Sequence, residues 1–519
     1  MIYHCEDHTC NYWDEGEKLP ERCPQCGRKL LRANEADMTG DDWTALGNTL
    51  WDAEASDKKR MVDCFRKAAY LGSAWGVCNL GICMEQGNGV EADPVQAFWL
   101  YQQAVEMGSL NAVCCLGVCY QYGIGTAPDA KQAAELYCKA AEYGSPRGQM
   151  LLARAFHDGI GVEADAAEAV HWVRAAAYQR YGEGMHRLGV CYEYGDGVEQ
   201  NWERAVHWFR EAAESGVSTA MTDLGYCYEK GCGVEQSWEQ AFSWYRRGAE
   251  CGYPVSMSNL GLCYKRGYGV EQNWQEAVKW YEQGAQCGHL QSMNNLAYCY
   301  ERGEGVEQNE DRALYWYRRG AEAGSVYCMF YLGWNYSNGE GVEQNMTEAI
   351  RWYTAAAEGG NADAMHDLGW HYDHGEGVEQ DMKKAICWYE RAAEQNHPAA
   401  MNSLGECYAM GRGVPRDLET AMEWYRRAAE LGEAMADYNM GWHLEQAGKL
   451  SEAYAHYRKA ADGNDDSAWW ALGRFYENGV VVAQDGKEAR RCYETGEKLG
   501  SVKCKMRLAR CKLLGIGGH

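Results

Sequence analysis

The chain of 519 residues carries a net charge of −25 at pH 7 and is 46% hydrophobic and 24% charged. This length exceeds one ordinary hydrophobic core and predicts several domains or a repeat array. The negative charge disfavours nucleic acid and anionic membranes as partners. The sequence shows neither a long apolar stretch nor an N-terminal signal that is first basic and then apolar. We therefore expect a cytoplasmic protein without a membrane-spanning helix.

Residues 1–34 precede any repeat and contain two cysteine pairs, Cys5 with Cys10 and Cys23 with Cys26. A segment this short cannot build an adequate core, so a metal cross-link would supply its folding energy. Four thiolates suit tetrahedral zinc in a closed site, which serves structure and leaves no open position for catalysis. The sequence therefore predicts a small zinc-binding domain over residues 1–34.

This segment resembles zinc ribbons and rubredoxin-like sites through "CPQCG" at residues 23–27 and the aromatic run "CNYWD" at residues 10–14. The first pair departs from that pattern, because its spacing is C-x4-C and not C-x2-C. His8 is therefore an alternative ligand to Cys10, and His4 is an alternative to Cys5. Iron is an alternative to zinc, since both metals accept four thiolates.

A regular repeat follows a linker at residues 35–42 and occupies residues 43–519. Its marker is a leucine, followed in nearly every unit by glycine, that recurs at steps of 36 residues. The leucines at this spacing are Leu80, Leu116, Leu152, Leu188, Leu224, Leu260, Leu296, Leu332, Leu368 and Leu404. Leu46 begins the series, and Met440, Leu472 and Leu508 continue it. The sequence thus contains about fourteen units, the last of them incomplete.

The unit around Leu188 predicts two helices joined by a glycine turn. Apolar residues recur at helical spacing in "GMHRLGVCYEYG" and again in "WERAVHWFREAAESG". Gly195 and Gly197 end the first helix, because glycine enters the left-handed region without steric cost. Asn201 is the expected N-cap of the second helix. One unit cannot bury both of its faces, so neighbouring units must stack into an α-solenoid.

The repeated pattern "LGxxYxxGxGVxxDxxxAxxWYxxAAExG" resembles the Sel-one-like repeat (SLR) family, a relative of the tetratricopeptide repeat. The resemblance covers residues 43–519 and is specific, because six successive units carry "GVEQ" in register. It implies an all-α, right-handed superhelical solenoid of helix-turn-helix repeats. We expect the last helix, at residues 502–514, to cap the stack with its basic outer face.

Two further series follow the same period. Tryptophans in the second helix of each unit predict a buried ladder, and they are Trp172, Trp208, Trp244, Trp280, Trp316, Trp352, Trp388 and Trp424. Cysteines three residues after the leucine predict a recurring core position without disulfides, and they are Cys83, Cys119, Cys191, Cys227, Cys263, Cys299 and Cys407. The sequence shows no nucleophile in a recognisable catalytic context, so we expect no catalytic residues.

The first helix of each unit, helix A, lines the concave face in tetratricopeptide arrays, and the resemblance implies the same here. From the eighth unit onward its outward positions become aromatic. Exposed aromatic clusters are costly unless a partner covers them, so these residues predict a groove for a peptide or protein: Tyr298, Tyr327, Phe330, Trp334, Trp370, Tyr438 and Trp442. The alternative is that a tightly wound superhelix packs these rings against neighbouring helices.

The sequence therefore predicts a non-enzymatic scaffold or adaptor, in which an SLR solenoid binds protein or peptide partners and a zinc ribbon serves structure. The scaffold role is what the SLR resemblance implies. The alternative is a solenoid arm that targets a rubredoxin-like redox metal head.

Overall fold

The computed structural model describes residues 2–5, 13–15, 30–32, 35–51 and 55–514. The chain divides into two compact units, Met1–Gln272 and Asn273–His519. Within the described residues, the first unit contains a small sheet and thirteen α-helices, and the second contains fourteen α-helices. The predicted all-helical repeat region is confirmed from α1 onward.

A three-stranded antiparallel sheet lies in the segment predicted to bind zinc. Its strands are β1 (Ile2–Cys5), β2 (Trp13–Glu15) and β3 (Leu30–Arg32). β1 is central and pairs with both of the others. A short 3₁₀ helix at Glu35–Asp37 follows in the predicted linker. The first α-helix then begins at Gly40, where Thr39 and Asp42 form a reciprocal capping box.

The helices of the first unit form six pairs and one further helix. They are α1 (Gly40–Thr49), α2 (Ala55–Tyr70), α3 (Ala74–Gln86), α4 (Pro94–Glu106), α5 (Leu110–Tyr122), α6 (Ala130–Glu142), α7 (Pro146–Asp158), α8 (Ala166–Tyr178), α9 (Gly182–Tyr194), α10 (Trp202–Glu214), α11 (Ser218–Lys230), α12 (Trp238–Glu250) and α13 (Pro254–Arg266). Each helix from α1 to α12 packs against the next one along the chain. Odd-numbered helices carry the repeat leucine and are the predicted A helices, and even-numbered helices are the B helices.

The second unit has the same alternation. Its helices are α14 (Trp274–Gln286), α15 (Leu290–Arg302), α16 (Glu310–Glu322), α17 (Val326–Asn338), α18 (Met346–Glu358), α19 (Ala362–His374), α20 (Met382–Glu394), α21 (Pro398–Met410), α22 (Leu418–Glu430), α23 (Ala434–Gln446), α24 (Leu450–Asp462), α25 (Asp466–Asn478), α26 (Gly486–Lys498) and α27 (Val502–Leu514). Consecutive helices pack against one another throughout. We number the repeats from α1 and α2 as repeat 1, so that α27 alone represents repeat 14.

The helix boundaries recur because the same capping residues recur. α9 ends at Gly195, which is left-handed with φ of 75° and donates its backbone N–H to the carbonyl of Cys191. The side chain of Asn201 accepts a 2.9 Å hydrogen bond from the backbone N–H of Arg204 at the start of α10. The turn and the N-cap predicted around Leu188 are therefore confirmed.

The glutamine of "GVEQ" closes the same turn. The side-chain amide of Gln200 donates a 2.8 Å hydrogen bond to the carbonyl of Glu193, and that of Gln380 donates to the carbonyl of Asp373 at 2.6 Å. Both carbonyls belong to the last turn of a helix A, where the helix itself leaves carbonyl groups without partners. This glutamine thus satisfies a helix end, a role that the sequence analysis did not predict.

The second glycine of the turn joins each repeat to the one before it. Gly197 has φ of 66°, and a Cβ atom at this position would lie 2.1 Å from the carbonyl oxygen of Ala166, at the start of the preceding helix B. No side chain fits at that distance, so the glycine is required both by its backbone conformation and by this close approach. The turn is therefore an inter-repeat contact as well as a helix stop.

Candidate partner-binding surface

The seven predicted partner-binding residues lie on the A helices α15, α17, α19 and α23. Three of them are exposed, with Tyr327 at 53%, Trp370 at 37% and Trp442 at 39%. The other four are half-buried, and they are Tyr298, Phe330, Trp334 and Tyr438. The structure thus divides the predicted set into exposed rings and rings that also contact the protein.

Four of these residues share one register, two positions after the repeat leucine or its methionine equivalent. We call Tyr298, Trp334, Trp370 and Trp442 the aromatic row. The Trp370 ring stacks on His374 with ring centres 4.3 Å apart, and the Arg302 guanidinium lies 5.9 Å from the centre of the Tyr298 ring. On α21 the same register holds Glu406, which accepts a hydrogen bond from the Asn439 amide at 3.3 Å. The row therefore runs along successive A helices with one acidic interruption.

Two of the half-buried residues point toward the core. The ring centre of Phe330 lies 5.9 Å from that of Tyr353, and the ring centre of Tyr438 lies 5.6 Å from that of Tyr457. Trp334 also packs against a buried cluster of the second unit. Position two before the leucine is therefore largely an inward position, although the sequence analysis treated it as outward.

The prediction that the tryptophan ladder is buried is wrong. Only Trp244 at 9% and Trp316 at 8% are buried, and the other six tryptophans are half-buried. An arginine three residues later covers several of these rings, as Arg391 does at 4.3 Å from the centre of Trp388. The next residue along helix B is the buried one.

That buried position, which we call the tyrosine slot, recurs in all thirteen described B helices. Its occupants are Phe65, Tyr101, Tyr137, Val173, Phe209, Tyr245, Tyr281, Tyr317, Tyr353, Tyr389, Tyr425, Tyr457 and Tyr493. The ring packs on the residue that follows the repeat leucine, so closely that a Cβ atom at Gly81 would lie 2.7 Å from Tyr101. The glycine of the Leu-Gly pair therefore makes room for the slot ring.

At least six of the slot tyrosines donate their hydroxyl to helix A of the same repeat. Tyr101 donates to Glu85 at 2.6 Å and Tyr493 donates to Glu477 at 2.7 Å, and both acceptors stand five residues after the repeat leucine. Burial, the largest cause, raises the pKa of the Tyr101 and Tyr493 hydroxyls well above their ordinary value, so both remain donors. This pairing fixes the distance between the two helices of a repeat.

Repeat 4 is the exception, because its slot holds Val173. A cavity of about 280 Å³ lies between α7, α8 and α9 at this point. Buried apolar side chains line its inner part, and charged side chains line its outer part. Its lining residues include Ala153, Arg154, His157, Asp158, Val170, Val173, Arg187, Cys191 and Asp196.

The cysteines three residues after the leucine are buried in every predicted repeat, which confirms the core position. Burial raises the pKa of the Cys191 thiol to about 11, so the thiol stays protonated and unreactive at neutral pH. His371 and His443 fill the same position and are also buried. The twenty cysteines that the structure describes in the helices and turns of the repeat region are all free thiols.

A family model described as "Sel1 repeat" matches most of the chain. The matched residues are 76–109, 112–145, 146–181, 182–217, 218–253, 254–289, 290–325, 326–361, 362–397, 398–433, 434–465 and 468–501. The chain belongs to the Sel1 repeat family. The twelve matched segments correspond to repeats 2–13, and Sel1 repeat proteins are generally protein-interaction scaffolds and typically non-catalytic.

Solved structures with similar sequences carry the same repeat. A protective antigen from uropathogenic Escherichia coli strains, which displays an SLR fold, is 31% identical over 87% of this chain and 93% of its own, with a TM-score of 0.56. A Sel1 repeat protein from Oxalobacter formigenes is 32% identical over 47% of this chain and 96% of its own, with a TM-score of 0.43. The comparison with curated proteins gave no match.

The predicted metal ligands of this Sel1 repeat protein fall mainly outside the described residues. Cys5 ends β1, whereas Cys10, Cys23 and Cys26 lie outside the described residues, as does the alternative ligand His8. The zinc site therefore stays a prediction. Across the described ranges, no helix is both long and apolar enough to cross a membrane.

Proposed function

We propose that this Sel1 repeat protein is a non-enzymatic, cytoplasmic scaffold that binds a peptide or protein partner on the helix-A surface of its second unit. The observation that carries this proposal is the aromatic row together with Tyr327. Trp370, Trp442 and Tyr327 all remain more than a third exposed. Aromatic side chains that share one register on successive helices form an exposed patch, and such patches are typical of sites that a partner covers.

The fold itself does not require aromatic residues in the register of the row. Other repeats place charged side chains there, as shown by Arg154, Glu406 and Arg474. Arg154 is exposed in its repeat, which shows that the position tolerates solvent. The tryptophans of repeats 10 and 12, Trp370 and Trp442, therefore add little to packing, and partner binding accounts for their presence. Arg302, at the Tyr298 end of the row, offers a cation to an acidic group of the partner.

We also propose that Cys5, Cys10, Cys23 and Cys26 bind zinc in a structural site. The support is energetic: a sheet of three strands with four, three and three residues buries too little surface to be stable alone. A tetrahedral four-thiolate site would supply the missing folding energy. The redox alternative requires iron, and elemental analysis of the purified chain distinguishes the two metals.

Selection from a library of displayed random peptides tests the binding surface. We expect the intact chain to enrich peptides, and the double variant W370A/W442A to bind the selected peptides at least about tenfold more weakly, because each tryptophan at a binding centre contributes about 2 kcal/mol. Both side chains are exposed, so the helical content and the unfolding midpoint should stay close to those of the unchanged protein.

The matched control is W75A/W99A, which removes two exposed tryptophans of the first unit. This control should bind the selected peptides as tightly as the unchanged chain. The proposed surface is contradicted if W370A/W442A binds the selected peptides as tightly as the unchanged chain does. It is also contradicted if the intact chain enriches no peptide. The zinc proposal is contradicted if purified protein contains no stoichiometric metal, and iron in place of zinc supports the redox alternative.

A further inference from the structure

The cavity of repeat 4 lies in the first unit, apart from the surface proposed above. Repeat 4 carries Val173 in the tyrosine slot, whereas the other twelve described B helices carry tyrosine or phenylalanine. The cavity of about 280 Å³ occupies the space beside Val173. An apolar cavity of about 150 Å³ is enough to bind benzene, so the space is large enough for a single ring.

The inner part of the cavity is a floor of buried apolar side chains: Ala153, Val170, Val173 and Cys191. The equivalent surface in other repeats lies under an aromatic ring. Most other repeats carry glycine at the position of Ala153, because a Cβ atom there lies close to the slot ring, at 2.5 Å from Tyr245 in the case of Gly225 of repeat 6. Repeat 8 carries alanine at this position, Ala297, and still holds the buried Tyr317 in its slot. Alanine is therefore compatible with a ring in the slot, and in repeat 4 the chain does not supply one.

The outer part of the cavity holds hydrogen-bond acceptors in fixed positions. His157 stands five residues after the repeat leucine, which is the position that accepts the slot hydroxyl in other repeats. Its Nδ1 lies 2.7 Å from the Asp158 carboxylate and its Nε2 lies 3.2 Å from the Asp196 carboxylate. Arg154 and Arg187 contact the same two carboxylates at 3.4 and 3.8 Å. Two oriented carboxylates thus face solvent directly above an apolar floor.

We propose that this cavity binds a 4-hydroxyphenyl group supplied by another molecule. The ring would cover the apolar floor, and the hydroxyl would donate to the carboxylate of either Asp158 or Asp196, as Tyr101 and Tyr493 donate to Glu85 and Glu477 within their own repeats. Hydrogen bonds to charged acceptors are stronger than neutral ones. The group arrives either as a tyrosine side chain of a peptide or as a small free phenol.

Calorimetric titration of the full chain with small probes tests this proposal. We expect 4-methylphenol to bind saturably and at least about tenfold more tightly than toluene or 4-methylanisole, because neither of these can donate a hydrogen bond to the carboxylates. If N-acetyltyrosinamide binds saturably in addition to 4-methylphenol, the natural ligand is a tyrosine side chain of a peptide. If only 4-methylphenol binds, the natural ligand is a free phenol. Absence of saturable binding by both probes overturns the proposal.

A second experiment fills the tyrosine slot of repeat 4 with a larger side chain of the protein itself. Val173→Tyr restores the residue of the other repeats and should abolish 4-methylphenol binding while raising the melting temperature, because the cavity is filled. Val173→Phe, which copies Phe209 of repeat 5, serves the same purpose if the tyrosine variant does not fold. Val118→Tyr adds a tyrosine at the register where repeat 6 carries the exposed Tyr226, and it should leave binding unchanged. Unchanged binding by folded Val173 variants would place the probe elsewhere and overturn the proposal.

Discussion

The hydroxyl of Tyr245 donates a 2.8 Å hydrogen bond to the carboxylate of Glu229, sixteen residues earlier in the same repeat. Tyr245 is buried, and burial, the largest cause, raises the pKa of its hydroxyl well above the ordinary value. The bond therefore ties helix B to the last turn of helix A inside the repeat. This hydrogen bond holds the two amphipathic helices of the repeat at a defined distance, so that the next repeat can pack against them.

Replacing Tyr245 by phenylalanine should lower the free energy of unfolding by about 1–2 kcal/mol, because it removes this bond and leaves the Glu229 oxygen without its donor. Denaturant unfolding followed by circular dichroism measures the change. Tyr226→Phe is the control, since that ring is exposed on α11, and it should change stability by less than about 0.5 kcal/mol. Equal effects of the two substitutions would show that the slot hydroxyl contributes nothing.

The inter-repeat role of the second turn glycine gives another prediction. Gly197→Ala and Gly216→Ala both force an L-residue into a left-handed conformation, which costs about 1–2 kcal/mol. Only the methyl at position 197 would meet a neighbouring carbonyl, because a Cβ at position 216 has nothing within 4 Å. We expect Gly197→Ala to cost about 1–3 kcal/mol more than Gly216→Ala in denaturant unfolding. A difference near zero would mean that the contact with Ala166 is not required.

Buried histidines in the cysteine position predict an acid sensitivity. Burial, the largest cause, lowers the pKa of His371 below its ordinary value of 6.5, although the Glu376 carbonyl opposes this shift. The unfolded chain therefore binds a proton at a higher pH than the folded chain does. The stability contribution of neutral His371 is complete above pH 6.5 and is lost as the pH falls below it, with a slope of up to about 1.4 kcal/mol per pH unit.

His371→Cys places in repeat 10 the residue that eight other repeats carry in the same position. We expect the unfolding free energy of this variant to fall less steeply than that of the unchanged protein between about pH 6.5 and pH 5. Thermal or urea unfolding at several pH values provides the comparison, and only the pH dependence matters, because the substitution also changes packing. Parallel pH profiles would rule out His371 as a source of acid sensitivity.

Tyr327 and Phe330 lie one helical turn apart on α17, and we expect the first to be a surface residue and the second a core residue. Phe330→Ala should destabilise the second unit by about 2–3 kcal/mol, because the Phe330 ring packs against Tyr353. Tyr327→Ala should change stability by less than about 0.5 kcal/mol, because its ring is exposed. Urea unfolding measures both, and the reverse order would place Phe330 on the surface.

Much of the fold was predictable from the sequence because it depends on local backbone chemistry repeated in register. Gly195 and Asn201 are residue types with strong preferences for helix ends, and a 36-residue period repeats the same preference many times. The occupant of the core was harder to predict, because adjacent tryptophan and tyrosine in helix B are both apolar and only about 100° apart around the helix. Hydrophobic spacing alone could not show that Tyr389, and not Trp388, is fully buried.

The partner-binding surface was only partly predictable from the sequence. Trp370 and Trp442 are exposed, as the outward register indicated, whereas Phe330 faces Tyr353 because helix B of the same repeat packs against that register. The cavity could not have been found first, since Val173 is an ordinary valine until the tyrosine slot is known. Its significance comes only from comparison with the other repeats once their packing has been seen.

The contact between Gly197 and Ala166 reaches back by one repeat and no further. Insertion or deletion of a whole 36-residue segment within one unit would therefore recreate the same junction between new neighbours, whereas a loss of a few residues would break it. The gene encoding such a chain can lengthen or shorten by unequal recombination between its own repeats without passing through a misfolded product. The number of repeats is thus a heritable variable, and the span of surface offered to a partner can be selected separately from the fold.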